Sequence, residues 1–234
     1  MIMPDTKTLT FAIGGALVAG IVWMTFWRRA DKNPEPLSIV LLCFILGAMA
    51  VPIAQVLQGL VQDYVSGSTH KIILWASIEE ILKYLAAAIL VFKSRHLDEP
   101  IDYAMYLVAS ALGFATLENI LFLVNPLFMG DTIVSLLAGN LRFLGATLMH
   151  GVTSMFVGLC MGLVFYKNYA VRKLAIIFGL AGAIALHSIF NFFIIEKTQQ
   201  SFFVVYGYLW ITTVIILMIV EKVRRMSIDE SINK

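Results

Sequence analysis

The stretch Trp75–Leu90 reads WASIEEILKYLAAAIL: Glu79, Glu80 and Lys83 stand inside sequence otherwise apolar enough for a membrane. On insertion scales an ionised side chain at the centre of a span costs about 2.5–3.5 kcal/mol. Three such groups within five residues therefore need partners and a purpose. The surrounding chain sets the same frame. Of its 234 residues 60% are hydrophobic and 14% charged, with a mean hydropathy of +0.87, whereas a soluble domain carries about 25% charged residues. The expected fold class is all-α: a polytopic membrane helix bundle, with residues 1–234 as a single membrane domain and no stretch left over for a soluble one.

Seven apolar segments of spanning length can be marked, near residues 9–27, 37–61, 72–92, 101–124, 143–166, 174–195 and 202–220. The first is read as a span, because its basic pair, Arg28 and Arg29, follows the apolar run, unlike a secretory leader. Residues 131–142 (DTIVSLLAGNLR) are too short to cross and are expected to form a loop or interfacial turn. The loops after spans one, three and five and the C-terminal tail hold Arg28, Arg29, Lys32, Lys93, Arg95, Lys167, Arg172, Lys173, Lys222, Arg224, Arg225 and Lys234. The other side holds Lys7, Lys71 and Lys197, with Arg142 near the boundary. This asymmetry predicts an outside N-terminus and a cytoplasmic C-terminus. It also accounts for the basic residues, so no nucleic-acid partner is expected. Cys43 and Cys160 lie in apolar runs and read as inert buried thiols.

A helix rises about 1.5 Å per residue, which gives each polar residue a depth. Glu79 and Glu80 come about 10–12 Å below the outer surface, Glu118 about 9 Å and His187 about 12 Å, while His150 lies about 24 Å above the inner end of its span. Four helices thus place ionisable groups in one outer-leaflet layer. Residues four apart share a helix face: Gly179, Ala183, His187 and Asn191; Arg142, Ala146, His150 and Ser154; Phe114, Glu118 and Phe122. Gln55, Gln58 and Gln62 form a stripe just past a kink expected at Pro52. The expectation is a polar pocket open to the outside and walled by spans two to six.

Each group also has a plainer reading: a histidine as a packing residue, the Gln stripe as lining, Ser154 as a packing hydroxyl, Arg142 as a snorkelling side chain, and Lys83 as a structural partner within reach of Glu79 at i+4 and Glu80 at i+3. The glutamate pair resists that treatment. One ion pair needs one carboxylate, and the surplus one is the candidate general base.

These residues resemble motifs of a known family. EEILK (Glu79–Lys83) is similar to the E-E-x-x-K motif of PrsW-type intramembrane proteases, and GFATLEN (Gly113–Asn119, with Phe114, Glu118 and Asn119) to their F-x-x-x-E-N motif. DEPIDYAMY (Asp98–Tyr106) and HSIFN (His187–Asn191) also fit, so ordered motifs cover a core of about residues 70–200. The related CAAX prenyl endopeptidases and bacteriocin-processing enzymes carry E-E-x-x-x-R, F-x-x-x-H and H-x-x-x-N. Lys83 at the shorter spacing and Glu118 in place of histidine set this chain apart from them, so prenyl-substrate chemistry is not carried over.

The resemblance implies a hydrolase of the bacterial cytoplasmic membrane that cuts a membrane-anchored protein on the extracytoplasmic side, with an anti-sigma factor as the substrate class. Amide hydrolysis needs an activated water, a stabilised oxyanion and a protonated leaving amine. Glu79 or Glu80 is expected to activate the water; Glu118 to hold it; His187 and Asn191 to donate to the oxyanion, as the H-x-x-x-N pair of the related enzymes suggests; His150 to orient or donate. Lys83, Phe114 and Asn119 support. Which glutamate acts stays open: i+4 pairing with Lys83 would free Glu80, and the resemblance favours Glu79. No cofactor is required on this reading. A second version places zinc among Glu79, Glu80, Glu118, His150 and His187, although no H-E-x-x-H is present. A different class, a proton- or ion-coupled transporter, would use the same buried charges. Against it, the inner halves of spans three to six (residues 85–92, 104–109, 156–165 and 175–181) hold almost no ionisable groups.

Overall fold

Backbone N–H and C=O groups have no water to bond in hydrocarbon, so apolar segments of this length satisfy them internally as helices. The computed structural model describes residues 6–29, 33–92, 94–128, 132–196 and 202–232. Among them are seven helices and no strand: α1 Thr6–Arg29, α2 Leu37–Tyr64, α3 Ser68–Val91, α4 Asp102–Phe128, α5 Thr132–Gly162, α6 Tyr169–Glu196 and α7 Phe202–Ile232. Of these, α2, α4, α5, α6 and α7 contain windows long and apolar enough to cross a membrane. The protein is a multi-pass helical membrane bundle.

α4 and α5 pack against each other at the centre, with α2 and α1 against α4, α6 and α7 against α5, and α3 set against α2, α4 and α6. Burial follows that order. Residues 102–116 of α4 are buried without a break, and the core joins Leu112, Val108, Met155, Leu159 and Leu209. The outer helices turn large apolar side chains outward, such as Ile53, Val56 and Leu60 on α2 and Trp210, Ile211 and Met218 on α7. In lipid that face is the stable one, and polar groups turn inward.

Local chemistry sets the joints. Pro36 precedes α2, and Gly67, at φ 88°, turns the chain into α3, a conformation that costs glycine little. The Asp102 carboxylate accepts the amides of Asp98 and Glu99 at 2.9 and 2.6 Å, closing the turn into α4. Small residues fix the α2–α4 crossing: Gly47 lies against the backbone of Ser110, and Gly113 against that of Phe44. A methyl group on either glycine would overlap the opposite backbone.

One expectation fails. Residues 132–142 are the first turns of α5, not a loop. A hydropathy boundary marks where lipid should end, and a proline-free run rich in Leu and Ala continues as helix past it. Of Arg142 only the backbone is described; its side chain lies outside the described residues, as do Lys32, Lys93, Lys197 and Lys234.

Candidate active site

Successive residues on a helix point about 100° apart, so Glu79 and Glu80 meet different neighbours. Glu80 faces the bundle centre at 1% exposure. Its Oε1 accepts from Lys83 Nζ at 2.6 Å, from Thr153 Oγ1 at 3.0 Å and from His187 Nδ1 at 2.6 Å. Lys83, fully buried, also donates to His150 Nδ1 at 3.1 Å and lies 5.9 Å from the centroid of the Phe114 ring. Ser110 Oγ ties the Lys83 carbonyl at 2.8 Å. The pairing reverses the i+4 expectation: Lys83 takes Glu80 and leaves Glu79.

Glu79 turns toward α2, where its Oε1 accepts from Gln58 Nε2 at 2.7 Å. Its Oε2 is buried and has no hydrogen-bond partner among the described residues. His187 Nε2 lies 3.6 Å from that oxygen.

The two imidazoles can be assigned by elimination. An ammonium has no lone pair to offer, so His150 Nδ1 accepts and its Nε2–H donates to Glu118 Oε2 at 3.0 Å. A carboxylate beside an ammonium is an acceptor, so His187 Nδ1 carries hydrogen, and its Nε2 faces Glu79. The rings meet edge-on with centroids 5.0 Å apart.

A cavity of about 150 Å³ adjoins the cluster, lined by Val51, Ala54, Gln55 and Gln58 of α2, Glu79 of α3 and Phe114, Glu118, Leu121 and Phe122 of α4. It opens beside Gln55 and Phe122, both exposed. The pocket expected between spans two and six is therefore narrower: α2, α3 and α4 wall it, and both histidines lie behind. α5 and α6 touch too closely to leave room, with Gly179 and Gly182 against Val157 and Phe156.

The structure thus brings together Glu79, Glu80, Lys83, Phe114, Glu118, His150 and His187. Asn191 is half-buried and makes no hydrogen bond to the cluster among the described residues. Asn119 is buried and donates to Thr147 Oγ1 at 2.9 Å, away from the carboxylates. Gln62 pairs with Lys71 at 3.1 Å outside the cavity. Two participants were not singled out from sequence: Thr153, whose only sign was its place three residues after His150, and Gln58, read there as lining.

Donor atoms of Glu79, His150 and His187 lie within 4.8 Å of one another. One carboxylate and two imidazoles are a zinc-type donor set. Glu79 Oε2 and His187 Nε2 lie 3.6 Å apart, and His150 Nε2 would join them by passing its proton to Glu118, its Nδ1 still accepting from Lys83. The residues fit a divalent metal.

The model of the PrsW family, described as intramembrane metalloproteases, matches residues 35–220. The chain belongs to the PrsW family. It is 37% identical over 120 residues to a protein named protease PrsW from Bacillus subtilis, a match covering 49% of this chain and 55% of that one. With protease PrsW of Geobacillus kaustophilus it shares 25% identity over 82% of this chain and 83% of the relative. For that of Clostridioides difficile the figures are 24%, 88% and 89%. No solved structure matches the chain.

Proposed function

We propose that this PrsW-family chain is an intramembrane peptidase that hydrolyses a peptide bond of a membrane-anchored protein near the extracytoplasmic face, with Glu79 handling the proton. The observation that carries this reading is the unpartnered Oε2 of Glu79, buried beside the cavity and 3.6 Å from His187 Nε2. An unsatisfied carboxylate oxygen is costly in a fold's interior, and its place at a cavity wall is where a water or a substrate would satisfy it.

In this mechanism Glu79 Oε2 takes a proton from the attacking water and delivers it to the leaving nitrogen. Gln58 holds the other oxygen and so fixes the carboxylate plane. For the developing oxyanion, the Gln55 amide lines the cavity and His150 Nε2–H, now on Glu118, stands behind it as a further donor. This replaces the role expected of His187 with Asn191. Lys83 and Glu80 hold the two imidazoles in register from behind. The family's description adds a metal, for which Glu79, His150 and His187 are the holders. A bound zinc ion supplies Lewis-acid polarisation of the carbonyl and a water acidic near neutral pH. Glu79 is then a ligand, and Glu80, whose Oε2 also has no hydrogen-bond partner, is the carboxylate left to carry the proton.

The extracytoplasmic placement rests on the Lys/Arg asymmetry of the loops, and the anti-sigma substrate class on the family resemblance alone. The test is co-expression with single-span membrane reporters, comparing wild type with separate Glu79→Gln and Glu80→Gln variants. Loss of cleavage in Glu79→Gln supports the reading; full activity in both variants removes it.

A further inference from the structure

The shape of the cavity says what part of a substrate it takes, an inference that rests on the peptidase reading. α2 and α4 run the same way and touch backbone to backbone where Gly47 meets Ser110 and Gly113 meets Phe44. One turn on, Val51 and Phe114 still pack together. From there the cavity runs between Ala54, Gln55 and Gln58 on one side and Glu118, Leu121 and Phe122 on the other. At about 150 Å³ it matches the size of an apolar cavity that holds one benzene. A helix about 10–12 Å across does not fit it. One side chain does. Val51, Ala54, Phe114 and Leu121 make its body apolar, and Glu79 reaches it from α3.

We propose that this cleft is a specificity pocket for a single apolar side chain of an extended juxtamembrane segment, next to the bond that is cut, with Ala54 and Leu121 setting the size accepted. The side chain enters between Gln55 and Phe122, and the Gln55 and Gln58 amides border the path of its backbone. Seating the side chain there brings its own peptide group to Glu79.

The probe is a set of single-span reporter proteins whose juxtamembrane segment is randomised, co-expressed in membranes, with cut sites read by mass spectrometry. Wild type is expected to enrich an apolar residue at one position flanking the cut. Ala54→Leu should lower kcat/KM for reporters with Leu or Phe there by about 10-fold or more relative to Ala, and Leu121→Ala should move the ratio the other way. Gln62→Ala, outside the cavity, should leave it unchanged. Continued cleavage of the Ala reporter shows that a variant is folded; if Ala54→Leu is not, Leu121→Ala decides. Unchanged ratios, or enrichment of a charged residue, overturn the pocket. A photoreactive phenylalanine analogue in place of Phe122, in a Glu79→Gln background, reads binding without hydrolysis. If no reporter is cut, the peptidase reading fails, and the pocket stands only if cross-linking tracks the apolar residue; cross-linking indifferent to it overturns the pocket.

Discussion

Glu79 and Glu80 are adjacent in sequence and opposite in circumstance. Glu80 accepts three hydrogen bonds on one oxygen, whereas Glu79 has one bond, to Gln58. On the metal-free mechanism Glu79→Gln should lower kcat by at least about 10²-fold, the low end for a lost general base, with thermal stability unchanged. Glu80→Gln should lower the melting temperature, since it leaves the Lys83 ammonium buried without its counter-charge, a loss of about 3–5 kcal/mol in comparable sites. Melting in detergent beside a cleavage assay separates the two. Thr153→Val removes one hydrogen bond to Glu80 and should cost about 1.5–3 kcal/mol, while Thr153→Ser should recover most of it. Equal stability of all three Thr153 proteins would show that the hydroxyl adds nothing. The sequence carried the identity of the charged residues but not their pairing. Lys83 is as near to Glu79 as to Glu80 along the helix, and only Thr153 and His187, arriving from α5 and α6, decide between them.

At the scale of the helices, the crossing of α2 and α4 governs the site, because Gly47 and Gly113 permit backbone contact from which the cavity diverges. Gly113→Leu should separate the helices and lower both stability and cleavage; Gly59→Ala, with open space around it, should change neither. Scanning both for melting temperature and activity checks this. That Glu79, Glu118, His150 and His187 meet was legible, since helical rise and span ends put them at one level. The lining of the cavity was not. Periodicity shows which residues share a face but not which neighbour that face meets, so a cleft of α2, α3 and α4 could not be told from one reaching α6. Asn191 shows the same limit: it lies on the His187 face by spacing, yet one turn carries it out of the cluster.

For the whole molecule, the Lys/Arg asymmetry of the loops predicts an outside α2–α3 turn and an inside α5–α6 turn. Ser66→Cys should react with a membrane-impermeant thiol reagent on intact cells and Asn168→Cys only after lysis, with the native Cys43 buried and Cys160 half-buried. The reverse labelling would invert the orientation. On the metal version, purified protein should retain about one zinc per chain, lost in His187→Ala; a metal content unmoved by that change would remove Glu79, His150 and His187 as holders. The all-helical class and the seven helices among the described residues were readable from the apolar segments, because lipid leaves apolar chain few options. The first turns of α5 were not, as nothing in hydropathy stops a helix outside the bilayer. The contact between Lys83 and Glu80 has one more result. Both charges lie on α3 itself, three residues apart, so this segment carries its own neutralising partner when it leaves the translocon. It can partition into lipid with two of its three buried charges already cancelled before α5 and α6 have been synthesised, and the histidines then close around a dipole already in place.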